Sequence, residues 1–319
     1  MNTTLCTAHD AMLDGATGCL RATAPFYYIY ETRLIDSVPD HYLALAAPVV
    51  AYWSLSLVFH FLDISGWKWL DKYRIHDSAE VQSRNRATRS EVVWAVLLQQ
   101  LIQTVLGLFW LNDEAEAANH AESMQAIAGH LQPLVLSAVG QKEAGPVLAD
   151  LVYYVYWWGI PTCQFLCAMF IIDTWQYFLH RLMHVNKWMY KKFHSVHHRL
   201  YVPYAFGSLY NHPLEGFLLD SLGAALAELV TGMTTRQAML LFSFSTFKTV
   251  DDHCGYSLPF DPFQLITGNN ADYHDIHHQT IGIKSNFSQP FFIHWDTLLG
   301  TRMTRKDIEL RKQKQKKAE

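Results

Sequence analysis

Three stretches of this 319-residue chain, 42–62, 92–111 and 151–172, each hold about twenty positions without a single Asp, Glu, Lys or Arg. That is the length a helix needs to cross about 30 Å of hydrocarbon at about 1.5 Å per residue. Helices of soluble proteins commonly run about 8 to 20 residues and keep a polar face. Three unbroken runs therefore predict three transmembrane helices in an all-α integral membrane protein. Residues 1–20 lack a basic start, an apolar core and a cleavage site, so membrane entry is expected to use the first span.

Lys and Arg concentrate on the cytoplasmic side of a membrane protein, which orients the spans. The first forty residues carry Arg21 and Arg33 against five acids, and the segment 112–150 has Lys142 among several Asp and Glu. The segment 63–91 carries six basic residues, and Arg181, Lys187, Lys191, Lys192 and Arg199 follow the third run. A lumenal N-terminus, a cytosolic first loop, a lumenal second loop and a cytosolic remainder are expected. The net charge of −4 conceals this pattern because the blocks cancel. Asn2, in NTT, is then open to glycosylation in the lumen, whereas Asn286, in NFS, is not.

Residues 216–230 and 237–250 are two further apolar stretches, each about 22 Å long as a helix and separated by the turn-like TGMTTR. They predict a helical hairpin that dips into the membrane, or two further tilted spans with the same sidedness. The expected divisions are a lumenal segment (1–41), helices and loops of the first two spans (42–150), a catalytic domain (151–301) and a basic cytosolic tail (302–319). Five cysteines without a CxxC pair exclude a disulfide scaffold or thiolate zinc knuckle as the organising principle. Cys163 and Cys167, one turn apart, are expected to pack.

Ten of the seventeen histidines fall between His180 and His278. HRLMH sets His180 and His184 at i and i+4 on one helix face, where two imidazoles can reach one metal. HSVHH gives His194, His197 and His198, and HDIHH repeats the spacing at His274, His277 and His278; i, i+3 and i+4 again share a face. His212 and His253 stand alone. So many imidazoles exceed one ion's needs, and a two-metal site in a cytosolic, histidine-rich helical cap is the economical reading. Imidazole suits iron, zinc, copper or nickel and does not choose among them. Asp173, Asn211, Asp251, Asp252 and Asp275 are candidates to orient the rings from behind.

The strings DTWQYFLHRLMH, FHSVHHRLYVPYAFGSLYNHPLEG, KTVDDHCGY and YHDIHHQTIGIKSNFSQPFFIHWDTLLGT resemble the sphingolipid 4-hydroxylases within the fatty acid hydroxylase and sterol desaturase superfamily. The resemblance covers about 150–302 and implies O2-dependent hydroxylation at carbon 4 of sphinganine or dihydroceramide. It carries over the ligand role to His180, His184, His194, His197, His198, His274, His277 and His278, and family positions also match at His212 and His253. It further implies two iron ions, for which zinc can substitute in a purified sample, and an external electron donor, cytochrome b5 with its NAD(P)H-linked reductase. The chain itself shows no GxGxxG fingerprint. Tyr201, Tyr204, Phe206 and Tyr210 are candidate walls of a lipid tunnel.

Lys316 and Lys317 occupy the positions of a dilysine retrieval signal for the endoplasmic reticulum. Competing readings are a related desaturase or sterol oxidase and, from another class, a zinc transporter. Transport would set ionisable ligands near the bilayer midplane, yet the clusters lie beyond the span ends. No nucleic-acid partner is expected.

Overall fold

A computed structural model describes residues 24–29, 33–110 and 119–318; Asn2, His9 and Arg21 lie outside them. In chain order the longer helices are α1 (Asp40–Ile64), α2 (Arg89–Trp110), α3 (His120–Val139), α4 (Gln141–Tyr154), α5 (Ile160–Val185), α6 (Leu222–Thr231), α7 (Thr235–Asp252), α8 (Ala271–His278) and α9 (Arg305–Ala318). No strand occurs among the described residues, only isolated bridges. A π-helical turn, Val155–Gly159, joins α4 to α5, so one helix runs from Gln141 to Val185. Three helices are long and apolar enough to cross a membrane: α1, α2 and this composite. Their outward faces carry Val50, Leu57 and Phe61 on α1, and Trp94, Leu101 and Phe109 on α2. Exposed apolar area on that scale marks contact with lipid or partner rather than water. Cys163 and Cys167 are exposed as well, so they do not pack inside the protein as expected.

The chain forms two compact units, one from residues 1–40 and 113–166 and the other from 41–112 and 167–319. In the first, the stretch expected to be a lumenal loop contains α3 and the start of the composite helix. Asn119 caps α3 by accepting from Glu122 N at 3.2 Å, and Gly140, at φ 76°, makes the turn into α4. Met124, Ala128 and Val135 then meet Ala144, Leu148 and Val152, so each helix buries one stripe spaced at about one turn. Gly129 and Pro133, with His120, Glu122, Gln125, His130 and Gln132 between the apolar positions, hid this stripe from a hydropathy reading.

In the second unit α1 and α2 pack through Tyr52, Phe59, Val92 and Val96 against the irregular chain after His198. Tyr204, Phe206 and Tyr210 belong to that core, and Tyr52 donates to Phe206 O at 2.7 Å. Tyr201 lies under the Arg84 guanidinium, 3.9 Å from ring centroid to Cζ. None of the four lines the large cavity described below; packing, the commoner role for such aromatics, is the one Tyr204, Phe206 and Tyr210 fill. The two shorter apolar stretches are present as helices, α6 and α7, joined by a short turn. Gly232 ends α6 in the left-handed region at φ 59°, and Thr234 with Gln237 forms a capping box that starts α7. Upstream, a π-helical turn, Phe217–Ser221, leads into α6. Asn286 is fully buried, its amide donating to Tyr273 O and Met303 O at 2.9 Å.

Candidate metal centre

Local structure decides where each imidazole points. α5 presents His180 and His184 one turn apart, a π-helical turn (Tyr190–His194) delivers His194, and a 3-10 turn (His197–Arg199) delivers His197 and His198. α8 carries His274, His277 and His278, and His253 stands just past α7. Two groups result: His180, His184, His194, His198 and His277 in one; His197, His253, His274 and His278 in the other. The spacing logic is therefore finer than a shared face. In each HxxHH box the i, i+4 pair stays together and the i+3 histidine crosses to the other group, so the same two boxes serve both.

Six of the imidazoles are fixed from behind. His180 Nδ1–H donates to Phe287 O at 2.8 Å, His197 to Tyr210 O at 3.2 Å and His253 to Thr249 O at 2.8 Å. His277 donates to Ser285 O and His278 to Leu200 O, both at 2.7 Å. His194 Nδ1 instead meets the buried Glu215 carboxylate at 2.5 Å. Glu215 was not singled out by spacing; its only signal was a lone acid inside NHPLEG. The residue after it, Gly216, packs on α2 so closely that a Cβ there would sit 1.7 Å from Gln99 Nε2, so a larger residue would require the buried Gln99 side chain to move.

The residues fit a metal. With Nδ1 protonated, each Nε2 presents a lone pair inward. His194 Nε2 stands 2.7 to 3.0 Å from Nε2 of His180, His184 and His198, and those of His184 and His198 are 3.2 Å apart; those of His274 and His278 are 3.1 Å apart. Lone pairs facing each other at that distance repel unless a cation lies between them. Adjacent ligands of an octahedral ion with bonds of about 2.1 Å are about 3.0 Å apart. Nε2 of His253 and of His277 is buried without a hydrogen-bond partner, an arrangement costly unless a metal completes it. Burial, aided by neighbouring imidazoles, pushes His194, His198, His274 and His278 well below the usual histidine range. It lowers His197 to about 4 and His253 and His277 to about 3. All stay neutral at pH 7, the form that binds metal.

His212 lies outside both groups. Its Nδ1 accepts from Leu214 N at 3.2 Å, capping the turn Pro213–Gly216, and its ring packs on Phe193. The five polar residues expected to orient the rings do other work. Asp173 accepts from Phe291 N and Phe292 N, Asp251 from Gln264, and Asp252 from Lys248 and Asn269. Asp275 binds His76 and Arg305, and Asn211 donates its backbone N–H to Leu209 O. Among the described residues none of the five hydrogen-bonds an imidazole of either group; backbone carbonyls and Glu215 fill that role.

A cavity of about 400 Å³ lies near this centre, with neighbours of the ligand histidines rather than the histidines themselves on its lining. Gln176, one turn before His180, lines it, as does Thr249, whose carbonyl holds His253. Leu45, Pro48, Val49, Leu106 and Phe109 make its far wall apolar.

The fatty acid hydroxylase family matches residues 165–301, the span that holds every histidine of the two groups. A sphingolipid C4-hydroxylase of Saccharomyces cerevisiae is 48% identical over 279 residues, covering 85% of this chain and 74% of that protein. Sphinganine C4-monooxygenase 2 of Arabidopsis thaliana is 43% identical over 264 residues, covering 83% and 88%. An Oryza sativa protein named very-long-chain aldehyde decarbonylase GL1-9 is 42% identical over 272 residues, covering 83% and 90%. No solved structure matches. Nine inward-facing imidazoles in two groups and likeness along most of the chain lead to one conclusion: this protein belongs to the fatty acid hydroxylase family, beside its sphingolipid C4-hydroxylases.

Proposed function

We propose that the chain is a sphingolipid 4-hydroxylase that inserts a hydroxyl at carbon 4 of a sphinganine-type base. The observation that carries this reading is the pair of converging imidazole groups near an apolar cavity, in a chain 43–48% identical to proteins named sphingolipid C4-hydroxylase or sphinganine C4-monooxygenase. Two metal ions would be held by His180, His184, His194, His198 and His277, and by His197, His253, His274 and His278. Iron is the pair proposed, and when bound it supplies the activation of O2 that attack on an unreactive methylene requires. The protein's own contribution is positional. Neighbouring methylenes are nearly identical, so the cavity must hold one carbon at the centre. The buried carbonyl and carboxylate partners keep six of the nine Nε2 lone pairs aimed inward, and the apolar wall excludes water from the reacting carbon.

The remaining parts of the proposal follow the charge pattern. The centre faces the cytosol of the endoplasmic reticulum membrane, α6 and α7 dip into the bilayer, and residues 151–301 form the catalytic domain between the first two spans and the basic tail. Electrons arrive from a separate donor, cytochrome b5 with its reductase, at the basic cytosolic face. Lys316 and Lys317, both exposed, act in retrieval.

The test is expression in cells lacking 4-hydroxylated bases, followed by mass spectrometry of their long-chain bases. New phytosphingosine is expected. Verified expression without it sinks the proposal, and alkane formed from long-chain aldehyde would favour the chemistry named for the rice relative.

A further inference from the structure

The cavity near the metal centre is apolar over most of its surface, yet four buried polar atoms on its lining have no hydrogen-bond partner: Asp220 Oδ2, Ser221 Oγ, Ser245 Oγ and Gln100 Nε2. Hydroxyls on helices ordinarily bond back to the carbonyl a turn earlier. Ser243, Thr246 and Thr249 on α7 all do so. Ser221 and Ser245 are exceptions, and both exceptions open into the same space.

The position of these atoms is as informative as their freedom. Asp220 follows Glu215 by five residues across the π-helical turn Phe217–Ser221. A five-residue hydrogen-bonding step keeps residues five apart closer to one face than an α-helix would, so Asp220 turns toward the side on which Glu215 holds His194. Ser245 lies one turn before Thr249, the residue that holds His253. Gln176, next to His180 on its helix, reaches Leu219 O at 3.5 Å. Asp220, Ser245 and Gln176 thus each lie a step away from a residue that bears or holds a ligand histidine. The other carboxylate on the lining, Glu228, is already engaged by Trp110.

A carboxylate in such a place is costly to keep ionised without a counter-ion. Building on the proposed function, we infer that Asp220 binds the protonated amine of a free sphingoid base, with Ser221 and Ser245 taking its hydroxyls and the chain lying along the apolar wall. Covalent geometry supports the match. Carbon 4 is two bonds from the carbon that bears the amine, so nitrogen and reacting carbon are roughly 4 Å apart. Whatever grips the amine must therefore stand near the metals, and Asp220 lies within electrostatic reach of Glu215, the carboxylate that holds His194. An N-acylated base carries a neutral amide, which cannot neutralise the carboxylate and adds an acyl chain at the polar end. The site is accordingly built for the free base over the ceramide.

The full chain in membranes is assayed with sphinganine and with N-acetylsphinganine, and 4-hydroxylated product is measured from each. The wild type is expected to favour sphinganine at least about tenfold in kcat/KM. Asp220→Asn should lower the ratio of free-base to N-acetyl turnover at least about tenfold, by raising KM for sphinganine. A wild type that prefers the N-acetylated base overturns the inference without any variant. An Asp220→Asn ratio equal to that of the wild type also overturns it, since a purely structural role would depress both substrates alike. Should that variant lose its metal, the wild-type preference decides alone. Failure to hydroxylate either substrate would instead remove the 4-hydroxylase reading itself.

Discussion

The five-histidine and four-histidine groups are built from the same boxes but supported differently. The first includes His194, whose ring rests on the buried carboxylate of Glu215. In the second, His197, His253 and His278 rest on neutral backbone carbonyls. A carboxylate behind an imidazole makes it a stronger, more anionic ligand than a carbonyl does. Metals bound in the two groups are therefore expected to differ in affinity, the five-histidine site being the tighter.

The broadest test is ligand removal. His194→Ala in one group and His197→Ala in the other should each abolish product, by at least about 100-fold, while leaving the protein in the membrane. Full activity in either variant would dissolve the two-group division. Sharper is Glu215→Gln, which keeps the shape and removes the charge. It should weaken metal binding about 10- to 100-fold at the five-histidine group, so that metal per chain measured at limiting supply moves from two toward one. Equal loss from both sites would show that the carboxylate does not distinguish them.

Acid is the third probe. In the unfolded chain histidine titrates at about 6.5, whereas folded His197 titrates at about 4 and His253 and His277 at about 3. The unfolded state then binds more protons at moderately low pH, and stability falls as pH falls. The melting temperature of metal-free protein should drop steadily from about pH 6.5 toward pH 4, and metal should leave the four-histidine group first. A melting temperature flat over that window would contradict the buried, neutral rings. Smallest of all, His212→Ala should change activity less than about threefold, because its nitrogen caps a turn rather than facing a metal. Complete loss would require a place for His212 among the ligands.

The sequence made the boxes legible because i and i+4 are fixed by the local geometry of a helix. It did not reveal how HSVHH and HDIHH are divided, because that depends on where the chain abandons the α-helix for the π-helical turn at Tyr190–His194 and the 3-10 turn at His197–Arg199. The carboxylates picked for their nearness to histidines were mistaken for ring supports for a related reason. Asp252 is adjacent to His253 in sequence, yet it pairs with Lys248 one turn back. Glu215, remote from His194 in sequence, reaches it through the tertiary fold. The apolar runs that mark α1 and α2 were plain, whereas α3 was read as part of a loop because its apolar stripe is interspersed with polar residues and interrupted by Gly129 and Pro133.

The buried Asn286 bears on how the orientation of the chain in a membrane can be mapped. Its NFS sequence has the form of a glycan acceptor, but its amide is locked between Tyr273 O and Met303 O with no exposed surface. An oligosaccharyl group could reach it only before the domain closes, and once attached would keep α8 from its place. Glycan mapping of this protein should therefore use acceptor sites engineered into exposed segments, where modification reports the compartment and leaves folding intact.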